Sequence, residues 1–288
     1  MSHVRLLNGL DVHYSRVGEG PDVVMIHGVV AHRGIWHLRI APLLWDRYRV
    51  LTYDLRGHGY TTLTETGYTP TELATDLKEL LDSLHIEKAY LVGHSFGADI
   101  ALYFAYLYPE RVIKAVLIEP MVPALVRILT HEDFGDGEFF VKILTKMGVP
   151  IPEERRFDGK YLLKAASQMP TKWGPLRNMP RHKKTSEGML ELVTSTSITR
   201  DMLDIGDLTL QQIPTIQTPI HLIFDSSSAL YRKSYSYLRS HLPNVTQSVL
   251  NASSDELAHL SPLEEPEIIA HEILKAFAEA SPISQAPS

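Results

Sequence analysis

The five residues Gly93-His94-Ser95-Phe96-Gly97 constrain this chain more than any other stretch, because they join a short apolar run, residues 89–93, to a helical pattern that begins at Phe96. A serine on a sharp strand-to-helix turn is flanked by crowded backbone, so glycine is wanted at Gly93 and Gly97, where strand and helix approach each other. Such a turn lifts the hydroxyl to the top of a sheet. The first N–H groups of the following helix point at the same spot, where developing negative charge is stabilised. Ser95 is therefore the candidate nucleophile.

The rest of the chain supplies a sheet for that turn. Residues 22–27, 48–54, 89–93 and 113–118 are short, rich in β-formers and bounded by turn residues or helical patterns, the signature of βαβ units around a mostly parallel sheet. Residues 4–7 and 12–15 flank Asn8-Gly9 and predict an N-terminal hairpin. Thr69-Pro70-Thr71-Glu72 is a capping box with proline at the first helical position, and Leu73, Leu77, Leu80, Leu81 and Leu84 give that helix one apolar face. A second amphipathic helix follows Pro266, with Ile269, Ile273 and Phe277 on one side. Between residues 120 and 218 the strand signal stops and interrupted helical segments take over, at 139–147, 161–167 and 185–194. Residues 219–224 and 246–250 then resume the strand pattern. The expected organisation is an α/β core of residues 1–119 and 219–280, a helical insertion at 120–218 and a loose tail at 281–288. In an open α/β sheet ligands bind beyond the carboxyl ends of the strands, so the insertion should lie there as a cap and choose the substrate. Phe134, Phe139, Phe140, Tyr161, Trp173 and Met179 are candidates for an apolar pocket, with plain helix packing as the simpler account of each.

Composition removes several other chemistries. The chain has 288 residues, 44% of them hydrophobic and 22% charged, which suits one large α/β domain with an insertion. Thirty-four acidic residues against 28 basic leave a net charge of −6, so no field favours nucleic acid or an anionic membrane surface. The absence of cysteine excludes a thiolate nucleophile, a disulfide framework and every cysteine-ligated metal. No H-E-x-x-H spacing occurs, and Gly57-His58-Gly59 lacks the third glycine of a dinucleotide fingerprint, so neither a metal nor a cofactor is expected. No apolar stretch approaches a bilayer span, and the start shows no basic segment leading into an apolar run, so a cytoplasmic location is expected. The sequons at Asn244 and Asn251 then read as chance matches.

With these residues in view, the chain resembles the α/β-hydrolase superfamily over nearly its whole length. His27-Gly28-Val29-Val30 is similar to the family's H-G-x turn, and Asp54-Leu55-Arg56-Gly57-His58-Gly59 to its D-x-R-G-x-G corner. The segment from Ala258-His259 to Glu265-Pro266-Glu267 resembles the family's late histidine loop, with Ala258 where glycine is usual. The resemblance implies an α/β-hydrolase fold, a mostly parallel sheet with flanking helices and an inserted helical cap. It implies His259 as the base that takes the Ser95 proton, since imidazole titrates near neutral pH. It implies an oxyanion hole made by the backbone N–H groups of Phe96 and of Val29, with Val30 as the alternative in the same turn.

The third member of the triad is less direct, because a carboxylate must orient the imidazole and stabilise its charged form. The superfamily's usual position falls on Ser228, in Phe224-Asp225-Ser226-Ser227-Ser228-Ala229, and serine cannot offset an imidazolium charge. Two carboxylates are candidates. Asp225 stands at the end of the preceding strand. Glu119 follows residues 113–118, a position at which some superfamily members, certain haloalkane dehalogenases and a zearalenone lactonase among them, carry their acid. Twenty-four residues separate Glu119 from Ser95, one helix and one strand, which brings both to the same sheet edge and makes Glu119 the preferred acid.

Dehalogenases and epoxide hydrolases of this superfamily carry an aspartate nucleophile, which Ser95 does not match. The expected activity is hydrolysis of an ester, lactone or thioester through an acyl-enzyme, on a small and apolar acyl substrate. The alternatives are a ligand-binding homologue without efficient turnover, suggested by Ser228, and acyl transfer to an acceptor other than water.

Overall fold

Strands buried on both faces need apolar residues at every position rather than at every second one, and the inner strands of this chain meet that requirement. The computed structural model describes residues 2–29, 31–126, 149–156, 191–226, 229–250 and 265–279, together with 141, 144, 145, 158, 161, 162, 164, 165, 188 and 262. One sheet contains β1 (Ser2–Arg5), β2 (Asp11–Val17), β3 (Asp22–Ile26), β4 (Arg49–Tyr53), β5 (Ala89–His94), β6 (Val112–Ile118), β7 (Ile220–Asp225) and β8 (Val245–Leu250). Their spatial order is β1-β2-β4-β3-β5-β6-β7-β8. Only the β1/β2 and β2/β4 pairs are antiparallel; all others are parallel. Around the sheet lie α1 (Gly34–Arg39), α2 (Pro70–Ser83), α3 (Phe96–Leu107), α4 (Pro123–Val126), α5 (Ile198–Asp201), α6 (Ala229–His241) and α7 (Pro266–Ala278).

Successive residues of a strand face opposite sides, so each inner strand feeds two cores. Val24, Ile26, Leu91, Leu117 and Leu222 pack with the apolar faces of α2, α3 and α6. Val23, Met25, Val92, Val116 and Ile223 pack on the other side with α1 and α7. β4 and β5 flank β3 on opposite sides, so the winding of the chain reverses there and a crevice opens at the carboxyl ends of these strands. Ser95 follows β5 at that crevice.

The inner strands match the sequence expectation to within a residue at either end. The N-terminal hairpin forms, but β1 stops at Arg5 because residues 6–10 close a turn, with Leu6 N–H donating to Leu10 O at 2.8 Å and Gly9 N–H to Leu6 O at 3.0 Å. α2 starts as its capping box requires: Thr69 Oγ1 accepts the Glu72 N–H at 3.2 Å, and Glu72 Oε2 accepts the Thr69 N–H at 3.1 Å. α7 begins at Pro266. Neither α1 nor α6 was expected. The buried face of α6 is built from Tyr231, Tyr235 and Leu238 with Leu242 just beyond, and tyrosines in a polar segment mask the periodicity that aliphatic residues would have shown.

Between β6 and β7 the described residues contain helix and no strand: α4, residues 191–195 and α5. Most of the cap expected at 120–218, and the tail expected at 281–288, lie outside the described residues. Among the described residues no helix is long and apolar enough to cross a membrane.

One ion pair ties three of these pieces together. Arg56, on the turn after β4, grips Asp76 of α2 through Nε at 2.8 Å and Nη2 at 2.7 Å, and Asn8 Nδ2 from the β1–β2 turn donates to the same carboxylate at 2.7 Å. Both charges are largely withdrawn from water, with 14% and 8% of the two side chains exposed. Asp76→Ala leaves the guanidinium without its partner, and we expect a loss of about 3 kcal/mol in urea unfolding.

Candidate active site

Ser95 occupies backbone space that L-residues rarely enter, at φ 54° and ψ −126°. The reason is steric. A Cβ on Gly93 would lie 2.2 Å from Gly97 O, and one on Gly97 would lie 2.3 Å from Ile26 O, so β5, α3 and β3 meet with no room for a side chain at either glycine. The turn is held on all sides. Ser95 N–H donates to Ile118 O at 2.9 Å, and Ser95 O accepts the N–H of Ala98 at 2.8 Å and of Asp99 at 3.2 Å.

Glu119 stands next to it. His94 and Ile118 are the last paired residues of β5 and β6, so Ser95 and Glu119 are the next residues on two adjacent strands, which run about 4.8 Å apart. Glu119 also has a positive φ, 51°. Its N–H donates to Ile223 O at 3.1 Å, and its Oε1 accepts the Asp225 N–H at 3.2 Å. Asp225 ends β7, one strand farther from Ser95, and its backbone serves to fix the Glu119 carboxylate. Both side chains are buried.

The His27-Gly28 turn lies against the serine. A Cβ on Gly28 would lie 3.2 Å from Ser95 Cβ and 3.7 Å from Ser95 Oγ. Val29 follows at once, and Phe96 opens α3, whose first N–H groups have no acceptor within the helix. His27 is fully engaged: Leu55 N–H donates to Nε2 at 3.0 Å, which leaves the Nδ1 proton for Gly28 O at 2.8 Å. Burial, reinforced by the neighbouring His58, holds its pKa well below the usual imidazole value, so His27 is a neutral brace rather than a base. The corner after β4 is structural too. Asp54 accepts the N–H of Arg33 at 2.8 Å and of Tyr60 at 3.2 Å, tying the start of α1 to this turn. His94 is buried beside Ser95.

Two further side chains belong to this cluster, and sequence reasoning missed both. Asp99, in the first turn of α3, is buried and accepts the N–H of Val122 at 2.9 Å and that of Met121. Burial pushes its pKa up to about 7 against those two hydrogen bonds. The anchored residues belong to the loop that begins with Glu119, and Val122 has a positive φ of 57°. Asp99 thus holds the exit of β6 in its strained course. Tyr231 of α6 is buried, and the Ser95 side chain is among the groups that influence its hydroxyl. Burial and then the Glu119 charge push its pKa well above the usual phenol value. A single acid in the otherwise apolar Phe96–Leu107 segment was the available signal for Asp99, and the spacing Tyr231, Tyr235, Leu238 was the signal for α6.

His259, Ser228 and Val30 lie outside the described residues, as do Phe134, Phe139, Phe140, Trp173 and Met179. Tyr161 packs against a small cluster with Val141, Leu144, Leu162 and Ala165, as an ordinary helix contact. A cavity of about 280 Å³ opens between Gly57, Tyr60, Leu63 and Glu191, beside the Asp54 corner, and none of the candidate site residues lines it. Among the described residues no three histidine or acidic side chains converge to hold a metal ion.

Comparison with known proteins bears on the fold that carries these residues. Residues 21–189 match a family model described as the alpha/beta hydrolase fold. Epoxide hydrolase 3 of Siraitia grosvenorii is 40% identical over 144 residues, 47% of this chain and 45% of the relative. The chain covers less than half the length of the first curated relatives that it matches. Among solved structures, a thermophilic esterase from Thermogutta terrifontis superposes with a TM-score of 0.68 at 19% identity, covering 97% of this chain and 99% of that one. An enol-lactonase from Burkholderia xenovorans gives 0.64 at 20% identity, with coverage of 96% and 100%. Likeness at such identities shows the shared fold alone.

The buried imidazoles give the site a defined acid limit. His58 has its pKa lowered to about 4, first by burial, so between pH 6.5 and 4 the unfolded chain binds a proton there that the folded protein refuses. Stability is therefore lost as pH falls through this window, by about 3 kcal/mol from this residue. In urea unfolding at a series of pH values, His58→Phe should show a shallower acid slope than wild type, whatever its stability at pH 7.

Proposed function

Because the chain belongs to the alpha/beta hydrolase family, we propose that it is a serine hydrolase that cleaves an ester, lactone or thioester through an acyl-enzyme. The observation that carries this reading is the juxtaposition at one sheet edge. Ser95 is raised on a strained turn, Glu119 occupies the matching position on the next strand, and the Gly28-Val29 turn lies against the serine side chain. A carboxylate nucleophile, which ring opening of an epoxide through an ester intermediate would need, is absent from position 95.

In the proposed cycle His259 takes the Ser95 proton while Oγ attacks the acyl carbon, and the carbonyl pair moves onto oxygen. The N–H groups of Phe96 and Val29 receive that charge. Collapse expels the leaving group, which takes the proton from His259, and water repeats the sequence on the acyl-enzyme. Glu119 orients the imidazole and stabilises its charged form. Its carboxylate is one strand from Ser95, whereas Asp225 is two strands away and already contributes its N–H to Glu119. The acyl group is apolar in this reading, and the cap expected at 120–218 would choose it.

Turnover on a panel of esters, lactones and thioesters tests the assignment. Ser95→Ala should abolish it in a folded protein, and unchanged turnover would contradict the nucleophile. Glu119→Gln should lower kcat by about 10³-fold or more while Asp225→Asn changes it little. The reverse order would transfer the acid's role to Asp225.

A further inference from the structure

A carboxylate withdrawn from water needs compensation, and Asp99, which is 2% exposed, finds it in the backbone rather than in a cation. It accepts the N–H groups of Val122, at 2.9 Å on Oδ1, and of Met121, and among the described residues no cation adds to them. Both donors belong to the stretch Glu119-Pro120-Met121-Val122, which leads from the end of β6 to the start of α4. That stretch is strained at each end. Glu119 has φ 51° and Val122 φ 57°, and Glu119 also precedes a proline, whose ring drives the residue before it toward extended backbone. The upstream anchor is the Glu119 N–H, which donates to Ile223 O at 3.1 Å. Downstream, the Pro120 nitrogen carries no proton, so the first N–H groups that can be anchored are those of Met121 and Val122, the two that Asp99 accepts. On the acceptor side the Ser234 hydroxyl of α6 donates to Met121 O, and Val122 O accepts the N–H of Leu125 at 2.8 Å and of Val126 at 3.1 Å.

We propose that Asp99 is a positioning residue for Glu119: by holding the Met121 and Val122 N–H groups, its carboxylate keeps the chain beyond β6 in the course that sets the Glu119 side chain at the Ser95 edge. This rests on the reading of Ser95 as nucleophile and Glu119 as acid. A residue in such strained backbone persists only where its surroundings hold it. With the two N–H groups released, Glu119 can relax to negative φ, which redirects its Cα–Cβ bond and draws the carboxylate away from the Asp225 N–H that fixes it. Asp99 touches no reacting atom in this scheme and acts through Glu119.

The hold needs a carboxylate. Ionised, the group offers lone pairs on both oxygens; protonated, it turns one oxygen into a donor. Burial raises the Asp99 pKa to about 7, so both N–H groups are held firmly above that pH and less firmly below it. The titratable groups around it are Glu119 on the loop it holds, Tyr231 of α6, which feels its charge, His94 at the end of β5, and Tyr103 one turn farther along α3, whose hydroxyl donates to Ile205 O at 2.6 Å. Asp99→Asn keeps the shape and one acceptor, and fixes the neutral form at every pH.

With p-nitrophenyl acetate as the probe, the ratio of wild-type to Asp99→Asn kcat should rise from near one at about pH 5.5 to about tenfold at about pH 8.5, because a small displacement of a positioned group suffices for such a loss. The midpoint of the rise should lie at about 7. The ratio cancels the titration of His259, which both proteins share. A ratio that does not change with pH would make Asp99 a structural residue only and overturn the proposal. Action through Glu119 also forbids additivity. In Glu119→Gln the same substitution should lower kcat by less than about twofold at the higher pH, and a further tenfold loss would overturn the proposal. If Asp99→Asn does not fold, the α-hydroxy acid analogue of valine at position 122 removes the N–H and keeps the side chain. It should lower kcat about tenfold in the wild-type background and not in Glu119→Gln; no loss, or an equal loss in both, overturns the inference. Activity in Ser95→Ala, full activity in Glu119→Gln, or no turnover by wild type would instead overturn the reading of Ser95 or Glu119 itself, whatever Asp99→Asn does.

Discussion

The junction where β3, β5, β6 and α3 meet is too crowded for side chains at two positions, and that crowding organises the rest of the molecule. Gly97 lies under the Ile26 and His27 carbonyls, and Gly93 lies under Gly97 itself. The chain can pass from β5 into α3 there only by putting Ser95 at φ 54°. Glu119 and Val122, on the neighbouring exit, are likewise at φ 51° and 57°. Each such residue costs about 1–3 kcal/mol, and it persists only where its surroundings over-determine it. Here they do. Parallel ladders run up to His94 and Ile118, the Phe96–Ala105 part of α3 is buried throughout, and hydrogen bonds from Ser95, Asp99 and Asp225 fix the residues that bear the strain.

Burial then settles what the polar groups at this edge do. His27 and His58 are kept neutral by desolvation and are occupied in bracing turns, so neither serves as a base. Asp99 is a carboxylate whose work is to hold the backbone beyond Glu119. Asp54 joins α1 to the corner after β4. Glu119 and Tyr231 are further buried polar groups at this edge, and the Glu119 charge adds to burial in raising the Tyr231 pKa. In this dry setting each hydrogen bond between buried groups has more effect than it would in water.

Much of this was legible in the sequence because it depends on local rules. Strands covered on both faces appear as unbroken apolar runs, and the Thr69–Glu72 box marks the start of α2. Gly93 and Gly97 around Ser95 announce the turn, and chain distance placed Glu119 at the same edge. What escaped notice depends on pairing across long separations. Tyr231 joins the buried groups at the Ser95 edge from 136 residues away in the chain, on a helix whose buried face is led by tyrosines. Asp99 reads as an ordinary first-turn acid of α3 until the folded chain brings Met121 and Val122 over it. The strand order, which puts β6 and not β7 beside β5, likewise depends on pairing between distant segments.

The central claim is that Ser95 is an activated nucleophile. Labelling folded wild type and Ser95→Ala with an active-site-directed fluorophosphonate, followed by peptide mass analysis, tests it most directly. The account predicts one modification in wild type, on Ser95, and none in the variant. Folded wild type that takes up no label, or carries it on another residue, would contradict it.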